Sequence, residues 1–516
     1  MGVLPLACVG KADPLPDEPP ATGQPPGPQG CPTAFPVDDA TGIADGCGVF
    51  VSASRGQDAG DGSQSRPLKS LQKGIDVAKV SGKRVYACAE TYPEQIVLAA
   101  NLSMFGYFDC GSPSWKTGGL KAKIAPSASP VIKATGIRNA RVEGFEVVAP
   151  DAADGSSVGI TAASSEIHMA SSTIRAGKGG KGADGADGAQ LTLADGSQGE
   201  AGLAGEECCA YRDPSTNNCD SRWHDAKVAN HRRPRNGGAG QCVGPNSTSR
   251  ASSPGGPGGR GGLYYNNGDN WVILAGDDPA PGEAANASHA QGGAVESNAS
   301  LAPGSEGASG KTGTSGSEIG GLSADGTYLP SDGTPGTDGA PGIGGGGGGG
   351  RGPQGTPALQ QKHCSAVGAG GGAGGCPGLA GAPGRGGGAS IGIISTDSSI
   401  DLTDCIVAAA DGGAGGKGTN GSRRTNGGAG GVAGSTGGQF PGLAGAQGGP
   451  GGLAGASGSG GGGPSIGIAF RGTAPILLRS SVTVGAGGPG VPEVAADGRL
   501  SIPPSKKGLS VEMRSF

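Results

Sequence analysis

Apolar positions recur along the chain in short groups separated by Gly, Ser, Asn and Asp, and one group is written three times. It reads Ser157-Val-Gly-Ile160, Ser390-Ile-Gly-Ile393 and Ser465-Ile-Gly-Ile468. Each copy is followed by a second apolar patch, at Ile167, Ile400 and Ile476, and by a third, at Ile174, Ile406 and Val482. The step from first to third patch is 16, 15 and 16 residues (158 to 174, 391 to 406, 466 to 482). Three short strands per repeat cannot bury an inner face alone, so each repeat must stack on its neighbours. The pattern therefore predicts turns of a parallel β-helix. Each copy then runs into glycine, which predicts that a glycine-rich segment leaves every turn from the same corner.

The first third of the chain carries the same short strands without the long excursions. Val49, Phe50 and Val51 form one, and a Gly/Asp/Ser turn follows. Leu68, Leu71, Ile75 and Ala78 then fall at helical intervals. The spacing predicts an amphipathic helix over 66–81, capped by Ser63 or Ser65 and ended by Gly82. Further strands are predicted around Val85, Ile96, Met104, Ile132, Val142 and Phe145 with Val147.

Three features of this stretch carry a family resemblance: the Asp/Gly/Ser turn at 58–63, Pro67-Leu68-Lys-Ser-Leu71-Gln72 opening the helix, and Val85-Tyr-Ala-Cys-Ala-Glu-Thr-Tyr-Pro-Glu94. They resemble the N-terminal part of right-handed parallel β-helix proteins of the pectate-lyase-like superfamily. There, the helix plugs the open end of the core. Phe105-Gly-Tyr-Phe-Asp-Cys110 is also similar to Gly-rich, repeat-bearing secreted lipoproteins of Gram-negative bacteria. The resemblance covers about residues 45–175. It implies an all-β fold, a right-handed parallel β-helix or solenoid with an N-terminal capping helix and long Gly-rich insertions, and it implies almost nothing about activity.

The insertions show a different period. Glycine recurs every third residue at 182, 185 and 188, at 333, 336, 339 and 342, and at 378, 381 and 384. A three-residue period with frequent proline points to extended, polyproline-II-like chain. Three states fit that period: a collagen triple helix, a bundle of polyglycine-II-like helices, or solvated disorder. Strict triplets never run far, and the unbroken glycine run from 344 to 350 breaks the period, which counts against collagen. The organisation that follows is a signal remnant and Pro-rich tether over 1–30 and the N-terminal cap with the first turns over 31–176. A Gly-rich insertion over 177–388 precedes a turn at 389–410. A second insertion spans 411–463, and 464–516 holds the last turn and tail. A less repetitive patch at 203–275 holds Trp223, His224, Tyr264, Tyr265 and Trp271 among cysteines. Trp223, Tyr264, Tyr265 and Trp271 are candidates for a recognition surface or for the packing of stapled loops.

Composition agrees with an extended, repetitive chain. Of 516 residues 113 are glycine, only 34% are hydrophobic and 3% aromatic, too few for several ordinary cores of this total length. The net charge of −5 gives no electrostatic case for nucleic acid. Twelve cysteines without a CxxC pair suggest disulfides in an oxidising compartment rather than zinc. Their spacing predicts local bridges, Cys31 with Cys47, Cys88 with Cys110, a group of Cys208, Cys209, Cys219 and Cys242, and Cys364 with Cys376. Cys405, beside Ile406 on a predicted turn, is the expected buried free thiol.

Leu4-Pro-Leu-Ala before Cys8 resembles a lipobox, which implies lipidation at Cys8 and an upstream start. The Pro/Gly-rich spacer after it suits a tether from a membrane. For chemistry, Asp401 with Asp404 and Glu143 with Glu146 are the candidate acid sets, with Arg138 and Arg141 just before the latter. Both acid pairs have odd separations, which in one strand places their members on opposite faces. Residues 179–187 (GGKGADGAD) match a calcium nonapeptide pattern once, where tandem copies are needed. No catalytic, cofactor or metal site is expected. The expectation is an exported protein, on the outer membrane or cell surface or extracellular, with a structural or adhesive role toward envelope or extracellular polysaccharide or protein surfaces. It would meet a membrane only through the lipid anchor. The alternatives are a polysaccharide lyase or hydrolase and a glycan-binding module using polyglycine-II-like faces.

Overall fold

The computed structural model describes residues 30–32, 34–110, 115–203, 233–245, 249–259, 303–350, 366–434 and 442–516, with the backbone of four further strands at Glu206–Glu207, Leu263–Asn266, Trp271–Leu274 and His363–Cys364. Cys8, Cys208, Cys209, Cys219 and Trp223 lie outside these residues.

The three copies of the Ser-x-Gly-Ile phrase lie side by side in parallel strands Ser157–Ala163, Ser390–Thr396 and Ser465–Arg471. Ser157 pairs with Ser390, and Ser390 with Ser465. They belong to one of three parallel sheets that the chain visits in rotation. The first sheet runs from Gly48–Val51 through Arg84–Cys88, Ser103–Asp109, Ala140–Glu143, Glu166–Ala170 and Ser399–Thr403 to Ile476–Leu478, with Lys116–Thr117 added antiparallel. The second holds Thr91–Tyr92, Ala122–Ile124, Phe145–Val148, Thr173–Arg175, Ile406–Ala408 and Ser481–Thr483. The third holds Ile96–Val97, Ile132–Thr135, the three phrase strands and Ser510–Ser515. The fold is all-β, and one aliphatic core, from Val49 to Ile468, fills the space between the sheets.

Register corrects two of the predicted apolar columns. Ile174 pairs with Val407, not Ile406, and Val407 with Val482. Val407 is fully buried and Ile406 is 44% exposed. The step from first to third patch is thus 16 residues in every copy, from Ile391 to Val407 as in the others. Likewise Ile476 pairs with Asp401 and faces out, while Leu477 continues the inward column of Met169 and Leu402. In both cases two adjacent apolar residues competed for one inward slot, and strand alternation chose the second.

The phrase itself has a mechanical role. Its buried serine closes the turn: Ser157, Ser390 and Ser465 each accept from the backbone N–H 20 residues later, at Gly177, Ala410 and Gly485. Ser157 and Ser465 also donate to the exit of the preceding turn, at Pro150 O and Ala410 O. Its glycine is imposed by packing. A Cβ on Gly392 would meet Val407 Cγ1 at 2.5 Å and Gly467 O at 2.6 Å.

Helix and cap differ from the expectation at one end. The helix is Leu71–Ser81, with Ser70 rather than Ser63 or Ser65 as N-cap and Gly82 in the left-handed region as C-cap. Leu68 is drawn out of the helix because its backbone bridges Val51 and bonds Phe50 and Ser52. Glu94 then reaches across to accept from Leu71 N and Gln72 N, which satisfies two free N–H groups at the positive end of the helix. Leu71, Ile75 and Ala78 are buried against the first turns.

The corners between sheets carry polar ladders. Ser172, Cys405 and Ser480 occupy one corner in successive turns: Ser172 Oγ donates to Ala170 O, Cys405 Sγ to Thr403 O, and Cys405 N donates to Ser480 Oγ. Cys405 is a buried free thiol, and burial pushes its pKa up. It stands in a serine slot, so Cys405→Ser should change stability by less than about 1 kcal/mol, whereas Cys405→Ala should cost about 1–3 kcal/mol by removing a buried hydrogen-bonding partner. Urea unfolding of the two variants would check this.

The described residues of the glycine-rich segments are hydrogen-bonded to one another. From 370 to 375 successive N–H groups donate in rotation to three neighbouring segments: Gly370 to Glu200 O, Gly371 to Gly256 O, Gly372 to Ala446 O, Ala373 to Ser197 O, Gly374 to Ser253 O and Gly375 to Gly449 O. The carbonyls of the same stretch accept from three others, through Gly431, Gly238 and Gly345 and again through Gly428 and Gly342. One chain thus has six neighbours, and each neighbour is met at every third residue, as a threefold extended helix requires. At 370–375 six neighbours stand where solvent, or the two partner chains of a collagen triple helix, would be. Layers follow the turns: the offset of 233 residues that joins Ser165 to Ser398 also joins Asp184 to Lys417 and Gln190 to Arg423.

Disulfides join Cys31 to Cys47, Cys88 to Cys110 and Cys242 to Cys376. The last corrects the local pairing. Cys376 bonds a partner 134 residues away, because the bundle lays the segment after 366 against the strand Gln241–Val243, and the bridge sits in a small apolar cluster with Leu191 and Leu379. Cys364 instead lies in a strand paired with Glu206 and Leu263. The disulfides suit an oxidising, extracellular or periplasmic setting, and among the described residues no helix is long and apolar enough to cross a membrane.

Candidate functional site

The outer face of the first sheet is apolar at one end and ionic in the middle. Over the first turns it is covered by Phe50, Tyr86, Phe105, Tyr107, Phe108 and Trp115, with Phe35 and Ile43 packed on them. Adjacent strands then bring a polar row into register: Ser103 beside Arg141, Arg141 beside His168, and His168 beside Asp401. Alternation explains the row. Ile167 and Met169 point inward around His168, and Ile400 and Leu402 inward around Asp401.

His168 Nδ1 lies 2.9 Å from Asp401 Oδ2, and Nε2 lies 3.6 Å from Glu166 Oε1. A carboxylate on one ring nitrogen fixes the imidazole's orientation. One strand away, Glu143 receives Nε and Nη2 of Arg141 at 3.0 and 2.9 Å and the Tyr107 hydroxyl at 3.3 Å. Arg141 also lies over the Phe35 ring at 4.0 Å. Burial, reinforced by the Glu143 charge, pushes the Tyr107 pKa far up, so its hydroxyl remains a donor.

The candidate acid sets are separated by the fold. Glu143 ends a strand of the first sheet and Glu146 lies in the second, with Gly144 at a φ of 75° turning the chain between them. The one-strand parity argument therefore does not apply to this pair. Glu146 pairs with Arg175. Asp404 sits past the end of its strand at a φ of 52° and pairs with Arg479 in the next turn. Hydrogen bonds from Arg479 hold the Asp404 carboxyl below its usual pKa. Arg138 is exposed and does not join the row. His168 was missed as the partner of Asp401, although the repeat offset places the one on the other.

Each carboxylate in the row faces a cationic or ionisable partner. A cleft of about 440 Å³ elsewhere on the first turns is lined by Arg55, Glu90, Asp109 and Leu120. Both Glu90 oxygens there accept from Ser52 and Ser54. Asp184 of the calcium-like nonapeptide is occupied by Lys417 N and Lys181, which hold its pKa down. Tyr264 and Tyr265 lie on a strand antiparallel to the one that starts at Trp271, and pairing to His363–Cys364 ties both to a segment outside the 203–275 patch. Removing the imidazole takes from Asp401 Oδ2 its partner at 2.9 Å, so His168→Ala should lower stability by about 1 kcal/mol at neutral pH in denaturant titration. Compared with known proteins, the chain matches no family model and no curated relative.

Proposed function

We propose that the protein is an exported, non-enzymatic structural and adhesive element of a cell envelope or extracellular matrix. In this reading the three sheets are the faces of a right-handed parallel β-helix. The helix Leu71–Ser81 is its N-terminal cap, and the glycine segments are polyglycine-II-like helices bundled on one corner. The resemblance over residues 45–175 supports the scaffold, and the oxidised cysteines support export. Cys8, at the head of the Pro-rich tether, would carry a lipid.

The observation that carries the reading is the rotation of hydrogen bonds from 370 to 375 among three neighbours. It makes the Gly-rich mass a rigid body with a broad polar surface, suited to many weak contacts with polysaccharide or protein. In the source cell, the protein is expected to be accessible to antibody on intact cells, and loss of its gene to weaken adhesion or envelope integrity. A cytosolic protein in fractionation would sink the proposal.

The ionic row favours a second reading, an enzyme acting on acidic polysaccharide from the outer face of the first sheet. Arg141 supplies a cationic contact there, His168 an imidazole and Asp401 a carboxylate. Turnover of a glycan panel by the purified chain, lost in Asp401→Asn with folding intact, would replace the first reading with this one.

A further inference from the structure

The two ends of the stacked sheets are finished differently. At the first turns the helix Leu71–Ser81 lies over the core. At the last turn the inward residues Leu477, Val482 and Met513 are only half-buried. One turn earlier in the same columns, Leu402, Val407 and Ile468 are 0% exposed. Ile476 and Leu478 on the outer face are 62% and 44% exposed. Among the described residues, no strand continues the sheets beyond Ile476–Leu478, Ser481–Thr483 and Ser510–Ser515. Three open edges around an apolar interior are a template for further strands.

We propose that this end is closed by the same end of a second copy of the chain. The copies are related by a twofold axis, and Ser510–Ser515 pairs antiparallel with itself about Met513. The charges select this arrangement. Directly opposite residues in an antiparallel pair share a face, so inward Met513 must meet an inward position. Centred on Met513, the pairing sets Glu512 against Arg514 of the second copy, twice per interface. Moving the centre by one residue to keep a twofold puts Glu512 on Glu512 or Arg514 on Arg514. The axis that maps the third sheet onto itself exchanges the other two. Ile476–Leu478 then meets Ser481–Thr483 of the second copy, with Leu477 against Val482 inside. The helix at the opposite end blocks head-to-tail growth, so association closes at two.

The test is sedimentation velocity of the full, oxidised chain across a dilution series. A dimer is expected. Glu512→Arg and Arg514→Glu should each weaken it by about tenfold or more, and the double reversal should restore it. Met513→Cys should form a disulfide-linked dimer under mild oxidation, since opposed Cα atoms in such a pair are within bridging distance. A chain that stays monomeric throughout, a dimer indifferent to the reversals, or a Met513→Cys chain that does not cross-link would overturn the proposal.

Discussion

Gly372→Ala is expected to collapse the glycine bundle while leaving the three sheets folded. A methyl group there would sit on the carbonyl oxygen of Gly428, far inside van der Waals contact, with Ala429 O also close. Gly372 N is at the same time bonded to Ala446 O at 2.9 Å, and its own carbonyl accepts from Gly345. The atom in the way is backbone, so no rotamer change relieves it. Three segments must part together, and the buried donors and acceptors between them go unpaired. Overpacking alone costs about 1–3 kcal/mol and each orphaned buried group about 1–3 kcal/mol more. The total loss should be on the order of 5 kcal/mol. Gly321→Ala is the matched control, because a Cβ there meets nothing within 4 Å. Hydrogen exchange of the glycine amides should show protection lost across the bundle in the first variant and kept in the second. Retained protection in Gly372→Ala would mean that the bundle is looser than its hydrogen bonds indicate.

Removing the Cys242–Cys376 bridge, as Cys242→Ala with Cys376→Ala, should have the next largest effect. The bond closes a loop with a sequence separation of 134, against 16 for Cys31–Cys47 and 22 for Cys88–Cys110. Cross-linking over such a span lowers the entropy of the unfolded chain by roughly 4–5 kcal/mol, against about 3 kcal/mol for the short loops. Both sulfurs also pack with Leu191 and Leu379, the main apolar contact inside an otherwise glycine-built region. Guanidinium titration of the double variant should show an early transition from the bundle, separated from that of the sheets. An unshifted single transition would show that bundle and sheets unfold as one unit and that the bridge adds little.

Much of this was legible in the chain, and the errors share a physical origin. The repeated Ser-x-Gly-Ile phrase located the turns and their exits, because only one spacing stacks serine on serine. It did not settle Ile406 against Val407, or Ile476 against Leu477. In each case two neighbours of equal hydrophobicity compete and only register decides. The helix start was misplaced because Leu68 satisfies the helical period while its backbone belongs to a bridge with Val51. His168 against Asp401 was available from the repeat, since the 233-residue offset of the corner serines carries one onto the other. It was overlooked because outward residues differ between turns while inward ones repeat. The Cys242–Cys376 bond was hidden for another reason: a bundle with six neighbours per chain brings together segments whose separation in sequence carries no signal.

The threefold bonding gives the glycine segments a reading frame. From 370 to 375 each N–H addresses one of three neighbours according to its position modulo three, and Gly370, Gly371 and Gly372 each lie where a neighbour's carbonyl passes. Losing three residues from an excursion shifts its contacts by one period and keeps every glycine opposite a carbonyl. Losing one residue turns all later positions by a third of a turn and drives side chains into the slots that Gly370, Gly371 and Gly372 now fill. Within such a stretch the chain can therefore lengthen or shorten only in whole triplets, and the bundled stretches should vary among descendants of this sequence in steps of three while the turns that anchor them keep a fixed size.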